Sequence, residues 1–181
     1  MSKKDKQRST ISGAAAWQTM HTGIRKSKDY YKKDSSGWGK IFGEVDIVST
    51  DLEAAKVETE GEKKGYFARF LSPMSGIVQA VQTEIKQDQR YELGFDVATN
   101  SRAGVLAATV TFFNDAKKPV GLPSSTGVKL STLEPDSYSP VSFVTRPAPE
   151  GAVSAQLTFT VFGAEYQKVV DLDKVALKEI S

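Results

Sequence analysis

Between Arg90 and Ala98 apolar and polar residues alternate more cleanly than anywhere else in the chain. Tyr91, Leu93, Phe95 and Val97 fall on one face of an extended strand, with Glu92, Gly94 and Asp96 on the other. The same two-residue period returns downstream, each run closed by a cluster of Gly, Pro, Asn, Asp or Ser. It predicts strands over Glu44–Ser49, Ala54–Glu58, Tyr66–Leu71, Gly76–Thr83, Arg90–Thr99, Gly104–Asn114, Val128–Leu133, Tyr138–Thr145, Ser154–Phe162 and Gln167–Lys178. Pro119 to Gly127 reads as a connection, as do Ser72 to Gly76 and Pro147 to Gly151. Many short strands with no helix among them imply an all-β sandwich or barrel. The alternation places Leu93, Phe95, Leu106, Val110, Phe112, Leu157, Phe159 and Val161 in its core.

Residues 1–40 differ from the rest of the chain. They hold ten Lys or Arg against three acids, whereas residues 41–181 hold fourteen against nineteen. A basic leader therefore precedes an acidic body, with the boundary expected near residue 40. Within the leader, Ser12 to His21 has a helix N-cap, three alanines and a following Gly23, which predict a short helix that needs a surface to dock on. The leader is expected to be partly helical or extended. Lys3, Lys4, Lys6, Arg8, Trp17, Arg25, Lys26, Tyr30 and Tyr31 are its candidate contact residues. Rings among cations suit stacking on single-stranded nucleic acid. They equally suit an acidic neighbouring subunit, and with no nucleic-acid fold signature beside them the subunit is the stronger expectation.

Composition removes several classes of chemistry. At 181 residues there is room for one domain and an extension, and 39% hydrophobic residues suit a globular chain. No apolar run approaches the roughly 18 residues that span a bilayer, so the chain is expected to be soluble, and no classical secretion signal is visible. Without cysteine there is no disulfide and no thiolate chemistry. A single histidine, His21, lies in the leader, which argues against a Ser-His-Asp arrangement. Carboxylates are plentiful but no pair stands out, and no phosphate loop, dinucleotide fingerprint or His-rich zinc motif appears. The expectation is a protein that is not an enzyme and carries no catalytic cofactor.

The order of Gly65-Tyr66-Phe67-Ala68-Arg69-Phe70, Gly76-Ile77-Val78-Gln79, Tyr91-Glu92-Leu93-Gly94-Phe95, Tyr138 to Phe143 leading into Pro147 to Ala152, and Val170 to Leu177 resembles the galactose-binding-like jelly rolls. Within them it is similar to carbohydrate-binding modules, and to related domains on phage and spore surface proteins, over roughly residues 43–181. The resemblance implies an antiparallel jelly-roll β-sandwich, contact with a cell-surface glycan, and a structural calcium between the first and last strands. Asp173 matches the family's acidic calcium ligand, and Glu44 and Asp46 could join it. Lys174 replaces the second of two adjacent acids usual in that strand, so the competing reading leaves Asp171 and Asp173 solvated along an edge.

A sugar site needs rings to stack on pyranose faces and polar groups for the hydroxyls. With the core as above, Asp96, Thr109, Thr111, Phe113, Gln156, Thr158, Thr160 and Phe162 point outward, and Trp38 and Tyr138 are rival candidates in loops. The competing reading is an ordinary solvent face rich in β-favouring threonine. Two functions from different classes stand beside each other. The leading one is a non-catalytic structural or decoration component of a surface assembly, a phage virion foremost, anchored to other subunits through residues 1–40. The alternative is a free carbohydrate-binding module, with single-stranded nucleic-acid binding a third. The expected location is a virion, or a cell or spore surface reached without a classical signal peptide, and otherwise the cytoplasm.

Overall fold

A computed structural model of the protein describes residues 37–49, 66–81 and 84–180. Ten strands follow in order: β1 (Trp38–Phe42), β2 (Val45–Ser49), β3 (Tyr66–Phe70), β4 (Met74–Ala80), β5 (Arg90–Thr99), β6 (Val105–Phe113), β7 (Pro119–Lys129), β8 (Ser139–Val144), β9 (Ser154–Phe162) and β10 (Val170–Ile180), with one 3-10 turn at Leu130–Thr132. They form two five-stranded antiparallel sheets, β1-β4-β9-β6-β7 and β2-β3-β10-β5-β8. The expected all-β sandwich is the fold. The predicted strand Ala54–Glu58, the predicted helix at Ser12–His21 and the leader up to Ser36 lie outside the described residues.

The period-two pattern works because each sheet has one face toward the other. All eight residues assigned to the core from alternation are buried. Phe159 on β9 is the meeting point of the two layers. Phe95 reaches it edge-on from the facing sheet, centroids 5.2 Å apart, and Trp38 reaches it from the edge strand of its own sheet at 5.7 Å. Both are tilted geometries that set a ring edge against a π-face. Tyr91, fully buried beside Phe112, accepts a hydrogen bond from the Lys86 N–H through its hydroxyl, so its one polar atom is satisfied. Gly104, at φ +95°, closes the turn before β6. A Cβ there would lie 2.6 Å from backbone atoms of Phe162, Gly163 and Ala164, so two loops meet at a glycine.

Three expectations are corrected. Trp38 is not a loop residue of the leader. It opens β1 and is packed in the core, so Trp38 already belongs to the sandwich and a boundary at 40 would cut through a strand. The stretch Pro119 to Gly127 is not a connection but most of β7. Pro and Gly gave it the look of a loop, yet a strand that pairs, among the described residues, on one side only, with β6, tolerates prolines whose missing N–H groups no second described neighbour needs. The expected strand over Val128–Leu133 is therefore only the end of β7 followed by the 3-10 turn.

Truncating Phe159 to alanine removes the ring that both layers share, and is expected to lower unfolding free energy by about 3–5 kcal/mol. A urea titration that gave a loss under about 1 kcal/mol would show that the aromatic junction is not central to the fold.

Candidate functional site

The two outer faces of the sandwich differ in chemistry. On the first sheet, β9 and β6 turn Gln156, Thr158, Thr109 and Thr111 outward. Thr158 and Thr109 stand directly opposite each other, and the Thr109 hydroxyl is 2.9 Å from that of Ser125 on β7. Phe162, at the strand end, is half exposed opposite Met74 and Val105. Phe113, expected outward as a stacking ring, is buried between Pro119 and Ser154, because outward parity at a strand end covered by its neighbours does not give exposure. This face keeps hydroxyls and an amide, and the two expected rings, Phe113 and Phe162, lie at opposite ends of it, the first of them buried.

The second sheet carries the relief. Its outward residues lie in cross-strand rows two residues, about 6.6 Å, apart along each strand. Pro140, Asp96 and Asp173 form one row, Ser142, Gly94 and Ala176 the next, and Val144, Glu92 and Lys178 a third. The middle row is made of small residues between longer ones. A cleft of about 490 Å³ results, lined by Glu92, Gly94 and Asp96 of β5, Pro140 and Ser142 of β8, and Lys174, Ala176 and Lys178 of β10. Gly94 forms its floor, with open space where a side chain would start.

Charged groups frame this floor. β10 leaves register with β5 between Asp173 and Ala176, and within that irregularity Lys174 has a left-handed backbone, φ +49°. Its ammonium is 2.8 Å from Asp96 Oδ2, and its backbone N–H donates to Asp173 Oδ1 at 2.7 Å. The hydrogen bond to Asp96 and the attraction of that carboxylate raise the Lys174 pKa above the ordinary lysine value, so the group is a cation throughout the neutral range. Beyond the Asp96 row, Arg69 on β3 donates two hydrogen bonds of 2.8 Å to Asp171 and lies 5.3 Å from the centre of the Phe67 ring. Its hydrogen bonds to Asp171 raise its pKa. Tyr138, just before β8, stands at this end of the cleft, where burial and the carboxylates of Asp171 and Asp173 push its phenol up and keep it neutral.

Of the residues expected to contact sugar, Asp96 and Tyr138 share this side of the molecule. Thr109, Thr111, Gln156, Thr158 and Phe162 lie on the opposite sheet, and Trp38 and Phe113 are buried. The second sheet's site was reachable from one signal: a glycine in the middle of an alternating strand often marks a place another molecule approaches. Lys174, Lys178, Ser142 and Arg69 carried no such signal. The described residues do not bring Glu44, Asp46 and Asp173 together as one ligand set. Arg69 lies between Asp46 and Asp171 in the sheet, Lys174 stands beside Asp173, and no group of three or more potential ligands converges among the described residues. The contact residues proposed for the leader lie outside the described residues.

No family model matches the chain, and none of the curated proteins matches it. Solved structures do share its fold. One is the enzymatically active domain of tailspike protein 4 from bacteriophage CBA120, at 14% identity and TM-score 0.57, covering 82% of this chain and 20% of that one. A second is TmCBM61 in complex with β-1,4-galactotriose, at 15% identity and TM-score 0.53, covering 83% and 98%. A third comes from work on promiscuous specificity of carbohydrate-binding modules of the β-sandwich superfamily, at 11% identity and TM-score 0.56, covering 83% and 59%. This chain thus spans a fifth of the tailspike chain and somewhat over half of the third. At these identities the likeness is one of fold: the sandwich is that of the carbohydrate-binding modules it resembles in sequence order. Among the described residues no helix is long and apolar enough to cross a membrane.

Replacing Arg69 with methionine leaves Asp171, 13% exposed, without its bidentate partner. Because the guanidinium itself is 41% exposed, solvent screening holds the expected loss to about 1 kcal/mol. A shift of the urea midpoint with an unchanged slope is the expected signature; no shift would mean the pair contributes nothing to stability.

Proposed function

We propose that this protein is a non-catalytic glycan-binding module whose ligand lies in the cleft on the outer face of β10, β5 and β8. The observation that carries this reading is the cleft itself: about 490 Å³ over a floor of Gly94, Ala176 and Ser142, ringed by ionic and hydroxyl groups. Its volume falls within the roughly 300–1,000 Å³ of ligand clefts. Asp96, Ser142 and Lys174 supply an acceptor, a hydroxyl and a donor on three adjacent strands, a set that suits a molecule made of hydroxyls. Tyr138 extends this surface with a partly exposed ring. The fold shared with TmCBM61, solved with β-1,4-galactotriose, supports the same ligand class. Binding rather than catalysis is favoured because two sheltered carboxylates of this face, Asp96 and Asp171, are each held by a cation.

A second layer of the reading concerns where the module works. It is displayed by a larger surface assembly, a virion foremost, to which the basic leader attaches it. The charge division between leader and body favours this, and so does the likeness to a domain of a phage tailspike chain. The leader's partner would be an acidic surface of another subunit.

Gly94→Val fills the floor of the cleft where nothing crowds a new side chain, and replaces glycine with a good strand former. The variant is expected to fold with equal or slightly higher stability, by up to about 1 kcal/mol, and to lose binding on a glycan array. Retained binding would place the site elsewhere. Removing residues 1–36, which spares Trp38, is expected to leave a folded sandwich that no longer enters its particle; undiminished incorporation would remove the attachment role.

A further inference from the structure

We propose that Lys174 and Asp96 act as one specificity-determining pair, which selects uncharged glycans by engaging two adjacent hydroxyls and turns away glycans that carry carboxylates. This rests on the glycan-binding reading of the cleft and adds to it the residues that choose the ligand.

The backbone gives the first reason. Lys174 sits in the left-handed region, φ +49°, in a β-bulge of β10, one of the three strands that line the cleft. Glycine would adopt that conformation without steric penalty, whereas a lysine there is strained. What the lysine adds is its side chain, which the bulge turns toward β5 and onto Asp96.

The second reason is electrostatic. Asp173 and Asp96 are direct cross-strand partners, so two carboxylates project from one row of the same face. Lys174 contacts both, through its ammonium and its backbone N–H. One of its three N–H donors is used by Asp96, and the side chain is 74% exposed, so the others face outward. Asp96 retains acceptor capacity beside it. The cleft therefore offers a donor and an acceptor 2.8 Å apart, which is what two neighbouring ring hydroxyls can answer, each donating or accepting once. A ligand carboxylate placed here would meet Asp96 and Asp173, and the two cations at this end, Lys174 and Arg69, are already paired. Lys178 is likewise set opposite Glu92, so the walls are balanced in charge and give an anion no net attraction.

Isothermal titration of the full chain with β-1,4-galactotriose and xylohexaose, each beside a carboxylated counterpart (trigalacturonate and a glucuronate-branched xylohexaose), tests this. The wild type is expected to bind a neutral probe at least about tenfold more tightly than its acidic counterpart, the difference a charged hydrogen-bond pair can make. Lys174→Gly is expected to melt at or above the wild-type temperature yet lose about tenfold in affinity, and Asp96→Asn to narrow the neutral-to-acidic ratio. If Lys174→Gly binds as the wild type does while Gly94→Val does not, the cleft is the site and the pair is structural, which overturns the proposal alone. Preference for the acidic probe overturns it as well. Should the wild type bind none of the four, the glycan reading fails and this inference with it.

Discussion

Phe159 meets two other rings at steep angles, Phe95 across the interior and Trp38 from the flank of its own sheet. That junction fixes how the two layers sit, and most other features of the molecule depend on it. Because the inward residues of β5, β6 and β9 are held against one another, their outward neighbours are held too, at fixed spacing and on opposite sides of the molecule. A slip of one residue in any of these strands would exchange the two sets. The core therefore specifies the surface as firmly as it specifies the fold.

The two outer faces use that rigidity differently. On the first sheet, outward hydroxyls stand close together and some are bonded to each other, as Thr109 is with Ser125. On the second, a row of small residues runs between taller ones, and the bulge in β10 brings an ammonium over the edge of the resulting hollow. The cleft is made as much by the absent side chain at Gly94 and the small one at Ala176 as by the charged groups around it. Its walls belong to paired strands and one bulge rather than to loops, which keeps donors and acceptors in place before a ligand arrives.

Much of the architecture was legible in the chain. The strands Arg90–Thr99 and Ser154–Phe162 have the bounds their alternation predicted, and the core residues named from parity are buried. Errors fell where local chemistry and tertiary context disagree. Pro119, Gly121 and Pro123 look like a loop until β6 offers an edge to pair with. Trp38, between glycines, looks exposed until Phe159 stands beside it. Phe113 has outward parity but is covered at its strand end.

Alternation along each strand was enough to determine an all-β sandwich and which residues face inward, because side-chain direction in a strand is a property of the backbone alone. It could not determine which outward residues share a face, since that depends on which strands become neighbours across long stretches of chain. Asp96 and Thr109 both point outward, yet strand order puts them on opposite sides. Lys174 looked like a substitution in a metal ligand set; only the bulge and the neighbouring strand make it the partner of Asp96. Pairing between distant segments, not local preference, decided where the cleft lies.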